Sequence, residues 1–378
     1  MDNITHSLIG ATLAELAVPA NASSAQRRLF FTAGIVAANL PDADLVYTSI
    51  TPPPLGYLLH HRGHTHTVIG CLALAAAIWA VVNIIPGLRR AVAEAPRRFW
   101  TLIAVALLSH ITADSWNVYG VHPFWPFDNR WYYGDAINIY EPWLFLFLGV
   151  AAAWNTKSPR GRLVMTALVV ALPLVLAWFG MMASGALVAL LIVGIGLGWA
   201  MRHMPPTRRS ALATTAVIVF VLGMFGMNRI AHAASLASLP EREGELVDVV
   251  LSPRAAVPVC WTTLTIQKVE SRGEYVLRRG QLALFANVCD TRTNAARVDW
   301  SDARHESLSR LRGLARDNCW VRAWLQFGRA PVVTSTDIDD VRFGNAGFTT
   351  MPIDGHAGCP RHLTNWTMPR ADLGLEPR

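Results

Sequence analysis

Residues 99–120 read FWTLIAVALLSHITADSWNVYG: an apolar run that ends in a histidine and an aspartate four positions apart. The run is near the ~20 residues a helix needs to cross the hydrocarbon of a bilayer. On that helix His110 and Asp114 leave one face a single turn apart, and Asn117 joins them. Ionisable groups in or beside a membrane span are costly to keep, so they point to function. The plainer alternative for this pair alone is a hydrogen-bonded helix end.

Apolar runs recur at about 67–85, 138–154, 163–182, 184–201 and 211–229, and two segments of mixed polarity precede them at 4–19 and 29–46. Together these predict eight membrane helices, the first two with bundle-facing polar groups. Composition agrees: 52% of the 378 residues are hydrophobic and 16% charged, too apolar for a soluble enzyme. The apolar residues stop near Met227. The expected fold is therefore an all-α polytopic membrane helix bundle over 1–230, followed by a soluble α+β domain over 231–378. In that tail, 247–251, 262–269 and 274–284 read as strands, 301–317 as a helix and 321–343 as a further hairpin, with loop over the last ~25 residues.

The net charge of +7 sits in short loops: Arg27/Arg28, Arg89/Arg90/Arg97/Arg98, Lys157/Arg160/Arg162 and Arg202/Arg208/Arg209. By the positive-inside rule this charge describes topology rather than a nucleic-acid partner. If those loops are cytoplasmic, Met1, the loops at 47–66 and 118–137 and the tail are all outside. Asp2 and His6 stand where a cleavable signal peptide would carry basic residues. Cys260, Cys289, Cys319 and Cys359 fall in the tail. In an exported domain they could form two disulfides by any of three pairings, while Cys71, in a span, reads as packing. No CxxC is present, which disfavours a four-cysteine zinc site.

The same topology gathers the ionisable clusters on the outer face. Asp2 and His6 repeat the i,i+4 spacing, although Asp2 could simply cap the first helix. Asn39-Leu40-Pro41-Asp42-Ala43-Asp44 breaks a helix and places two carboxylates together. His60-His61-Arg62-Gly63-His64-Thr65-His66 is dense in imidazole, the commonest zinc ligand beside thiolate, and Arg62 offers a planar fork for phosphate. Asp135 and Glu141 follow in a loop whose many aromatics suit a membrane interface. These residue types hold zinc or a similar divalent ion.

These motifs, Asp2-x-x-Thr5-His6-Ser7, Asn39-Leu40-Pro41-Asp42-x-Asp44, His61-Arg62-Gly63-x-Thr65-His66 and His110-x-x-x-Asp114-x-x-Asn117-x-Tyr119-Gly120, then Pro126-Phe127, resemble the YdjM-type inner-membrane metal-dependent hydrolases over about residues 1–145. In the tail, Pro258-x-x-Trp261 and Asp340-x-Arg342-Phe343-Gly344 look like the extension of longer members. Glu141-Pro142 departs from the Asp-Pro more usual there, and His64 occupies a variable position. A weaker similarity, in order and type of residue, is to the zinc-dependent phospholipase C class. The resemblance implies metal-dependent hydrolysis at a bacterial inner membrane, with phosphoester bonds favoured.

The expected function is thus a multi-pass inner-membrane hydrolase. It acts on a lipid or lipid-linked phosphoester at the periplasmic face through one or more zinc-like divalent ions. His6, Asp42, His61, His66, His110 and Asp114 are the expected ligands. Asp44 or Asp135 is the bridging ligand or general base, and Arg62 stabilises negative charge. A divalent-cation transporter would instead place its ligands near the bilayer midplane on broken helices. A non-catalytic adaptor with a structural metal is the third possibility.

Overall fold

The computed structural model describes residues 1–374 apart from 129, 241, 286–287, 290–297, 345–346, 357 and 361–370. Its N-terminal region is helical: α1 (Asn3–Ala17), α2 (Ser24–Asn39), α3 (Leu55–His60), α4 (Val68–Ile84), α5 (Pro86–Ala93), α6 (Pro96–Asp114), α7 (Pro142–Asn155), α8 (Pro159–Trp178), α9 (Ser184–Met201) and α10 (Pro206–Ala237). Local chemistry sets the starts. Asp2, Ser23, Thr67 and Ser158 accept backbone N–H groups at the first turns of α1, α2, α4 and α8. Proline, which lacks an N–H that would be unpaired there anyway, opens α5, α6, α7, α8 and α10.

Among the described residues four helical segments are long and apolar enough to cross a membrane: Ser24–Ile50, in which a 3₁₀ stretch continues α2, and α8, α9 and α10. A fifth is obtained if Leu55–His66 and Val68–Ile84, which meet at a 66° bend, form one span. Helices lie at all eight places read from the hydropathy. α1 and α7 are too short to qualify by length, with 15 and 14 residues, and α6, with 19, is not apolar enough to qualify. α1 and α2 pack backbone to backbone: a Cβ on Gly10 would strike the carbonyl of Gly34, and one on Gly34 the carbonyl of Gly10. Small residues at such crossings let membrane helices approach closely.

The C-terminal region carries two antiparallel sheets. β1 (Glu245–Arg254), β2 (Val257–Val269) and β3 (Glu274–Ala283) form a meander, and β4 (Val298–Trp300) and β5 (Arg304–Ser307) both pair with β3. β6 (Pro331–Val333), β7 (Asp337–Asp340) and β8 (Met351–Pro352) form the second sheet. Helices α11 (Leu308–Asp317) and α12 (Cys319–Trp324) come between β5 and β6 along the chain. Two sequence expectations are corrected here. The helix read over 301–317 starts at Leu308, because Ser307 caps it and Arg304–Ser307 extends the sheet instead. The hairpin read over 321–343 is preceded by α12, which Asn318 starts by accepting from the amides of Trp320 and Val321. Residues 361–370 and 375–378 of the expected terminal loop lie outside the described residues.

Cys260 bonds Cys289 and Cys319 bonds Cys359, and Cys71 is a buried free thiol. Two hydrophobic cores run across both regions. Leu55, Leu58, Leu59 and Tyr119 share one with Ile266, Tyr275, Trp324 and Phe327. Ile137, Leu144 and Phe145 share another with Val249, Leu251 and Trp261.

Candidate metal centre

The 3₁₀ stretch after α2, the 3₁₀ turn His64–His66 before α4 and the end of α6 bring four side chains to a point. One donor atom each from Asp42, His66, His110 and Asp114 lies within 4.8 Å of all the others. His66 Nε2 stands 3.3 Å from Asp42 Oδ1 and 3.3 Å from Asp114 Oδ2. His110 Nε2 stands 3.4 and 3.5 Å from the same two oxygens. The two Nε2 atoms face each other at 3.1 Å.

What surrounds these rings decides how they are protonated. His110 Nδ1 lies 2.6 Å from the carbonyl of Ala38, an acceptor, so Nδ1 carries the proton of the neutral ring. His66 Nδ1 lies 2.9 Å from Asp44 Oδ2 and is fixed the same way. Each Nε2 therefore presents a bare lone pair to the other and to two carboxylate oxygens. Four electron-rich atoms at such distances repel unless a positive charge lies among them. Asp42, Asp44 and Asp114 are at most 9% exposed. The Arg62 guanidinium and the Met1 ammonium both meet Asp114 Oδ1, which leaves Asp42 and Asp44 to their histidine partners. Buried charge is tolerated only when paired, and a cation among the donors would pair it. The donor set of imidazoles and carboxylates suits zinc and related ions.

Asp44 is fully buried and accepts from four groups. His61 Nδ1 lies at 3.1 Å from its Oδ1, while His66 Nδ1, the Arg62 amide and Thr65 Oγ1 each lie at 2.9 Å from its Oδ2. It thus orients His66 from behind, as carboxylates commonly do for metal-ligating histidines. Asp44, His61 and His66 also form a second group of mutually close donors, in which His66 Nδ1 is bonded to Asp44 itself. Arg62 has φ of 60°, in the left-handed region that costs a side-chain-bearing residue about 1–2 kcal/mol. That turn drives the guanidinium inward. Nη2 meets Asp114 Oδ1 at 3.1 Å, Nη1 donates to the carbonyls of Asp114 and Gly120 and to Asn117 Oδ1, and Tyr119 covers the plane at 4.6 Å. Its Nε has no hydrogen-bond partner.

His6 is buried beside this group. Its ring stacks on His110 at 3.8 Å and its Nε2 lies 3.4 Å from Asp114 Oδ1, with neither ring nitrogen hydrogen-bonded. Other candidates lie apart. Asp2 caps α1. His60 contacts Thr51, and His64 packs edge-on to Trp125. Asp135, expected as a bridging ligand or base, is instead held at 2.8 and 3.0 Å by Arg329, which also grips Asp248. Glu141 caps α7 and accepts the amide of Ala256 at the β1–β2 turn.

The sequence reading did not include the Ala38 carbonyl, and it gave no role to Thr65, named only within a motif, or to the tail residues around the site. Phe327 and Phe343 pack on Tyr119, and Phe348 packs on Tyr57. Arg342 donates to the carbonyl of Val118 at 3.1 Å. The motif Asp340-x-Arg342-Phe343 was a signal for these, but nothing in the sequence said what it touches.

Every residue of the cluster lies in the first third of the chain, in the order and spacing of one family. Residues 1–186 match the family model of the YdjM inner membrane proteins. The resemblance read from the motifs therefore holds over the whole segment that builds the cluster. The chain is also similar to the uncharacterized protein YfhP of Bacillus subtilis (strain 168), with 26% identity over 171 residues, which cover 43% of this chain and 48% of YfhP. The chain thus spans about half the length of that curated relative. No solved structure matches it. A segment that matches the YdjM inner membrane protein model and holds a His/Asp cluster fits a membrane metal-dependent protein.

Proposed function

We propose that the chain is an inner-membrane, zinc-class metal-dependent hydrolase that cleaves a phosphoester of a lipid or lipid-linked substrate. The observation that carries the reading is the set of four donor atoms of Asp42, His66, His110 and Asp114, with both histidine Nδ1 atoms committed elsewhere. Asp42, His66, His110 and Asp114 would hold a divalent ion, which would supply Lewis-acid chemistry and an activated water. Asp44 keeps His66 in its ligating tautomer. Arg62 fixes Asp114, and its unpartnered Nε–H is the donor left for an anionic oxygen. Asp135, neutralised by Arg329, has no part in the chemistry.

The remaining geography belongs to the same proposal. Residues 1–230 form an eight-helix membrane domain with its Arg-rich loops in the cytoplasm, so that the cluster and the tail, 231–378, face the periplasm. The two disulfides of the tail favour an oxidising compartment.

The test is elemental analysis of the purified protein together with a hydrolysis screen over lipid phosphoesters. One zinc-class ion per chain is expected. His110→Ala should lose both the ion and turnover while keeping its melting profile in chelator. A metal-loaded protein inert on every lipid phosphoester would refute the enzyme reading, and a metal-free protein the site itself.

A further inference from the structure

A slot of about 640 Å³ opens between α1, α2, α7 and α8. It follows the helix axes: Ser24, Arg28, Phe31 and Ile35 line it at three- and four-residue steps along α2, which is about 16 Å of helix. That is close to half the ~30 Å thickness of a bilayer's hydrocarbon, the reach of one acyl chain. Its wall is apolar, with Leu8, Phe31, Ile35 and Leu168. One end reaches Ser7, whose hydroxyl accepts from Asn39 near the metal cluster. The other end is lined by Arg27, Arg28 and Lys157.

The charge at that far end is not balanced by the protein. Glu15, 2% exposed, is paired with Arg27. Arg28 and Lys157 are exposed and pair with no carboxylate among the described residues. Around them Ser24, Asn155 and Thr156 add hydrogen-bonding groups. An apolar slot one acyl chain long with a cationic, polar mouth is complementary to a phospholipid with an anionic headgroup. Basic pockets between membrane helices are the recognised setting for such lipids.

We propose that this slot binds one anionic phospholipid, its phosphate at Arg28 and Lys157 and one chain between Phe31 and Leu168. Such a lipid is held at the end of α1 and α2 opposite the metal cluster, so it is a resident lipid distinct from any substrate. The proposal stands on these residues alone and does not depend on the metal reading.

The test is native mass spectrometry of the full-length chain released from detergent, titrated with palmitoyl-oleoyl phosphatidylglycerol or with phosphatidylcholine bearing the same chains. One phosphatidylglycerol per chain is expected, bound at least tenfold more tightly than phosphatidylcholine. Arg28→Gln/Lys157→Gln, at two exposed positions, should weaken phosphatidylglycerol about 30-fold, from roughly a tenfold contribution or less per surface charge. Ala11→Trp, which fills the slot, should abolish binding of both lipids. Equal binding of the two lipids, or an unaffected double variant, would mean that the charge serves topology only and would overturn the proposal. Retention of phosphatidylglycerol by Ala11→Trp would place the lipid on the surface and overturn it as well.

Discussion

Replacing Asp44 separates a residue that orients a ligand from a residue that is one. Asp44→Asn keeps a carbonyl oxygen where Oδ2 now accepts from His66 Nδ1, the Arg62 amide and Thr65 Oγ1. Its new NH₂ faces His61 Nδ1, which can change tautomer and accept. The fold is therefore expected to survive, while the negative charge behind His66 is lost. Loss of such an outer partner typically weakens metal binding 10–100-fold, about 1.4–2.8 kcal/mol. Asp44→Ala differs in kind. It leaves those donors and His61 without an acceptor in a fully buried place, at about 1–3 kcal/mol each, which is comparable to the whole stability of many proteins. A chelator-competition titration reads metal affinity, and thermal melts in chelator read the apo fold. An Asp44→Asn protein with wild-type affinity would refute the orienting role. Loss of the ion at saturating metal would show Asp44 to be a direct ligand, placing the ion among Asp44, His61 and His66.

Two further outcomes are expected. Glu141→Ala takes from the amides of Trp143 and Ala256 their buried acceptor and should cost about 1–3 kcal/mol in a melt; an unchanged melt would exclude Glu141 as a tie between α7 and the β1–β2 turn. Thiol labelling of unreduced, denatured protein should modify Cys71 alone, and Cys260→Ser/Cys289→Ser should cost roughly 2–5 kcal/mol in a melt; labelling at four or five positions would contradict the bridges.

The parts legible in the sequence are those set by local chemistry. Hydropathy located helices at all eight expected places, and β-branched runs located β1, β2 and β3 within a few residues. The i,i+4 step of His110 and Asp114 anticipated a shared face because a helix fixes it. The partnering of distant side chains was not legible. Asp42 and Asp44 are two residues apart and look alike in sequence, yet the 3₁₀ stretch after α2 turns one toward both Nε2 atoms and the other behind His66. Asp135 looked equivalent to them until Arg329, 194 positions away, took both of its oxygens. Arg62 read as a free phosphate clamp, but its left-handed backbone commits both terminal nitrogens to the protein.

The two cores that span both regions have a consequence for how the molecule is made. Leu55, Leu58 and Tyr119, which flank the His61–His66 turn, share a core with chain synthesised more than a hundred residues later. While the last helix emerges, that turn lacks its cover, and Tyr119 stacks on Arg62 without Phe327 behind it. The cover of the histidine cluster is thus tied to completion of the C-terminal sheets, and a chain truncated after α10 would lack it.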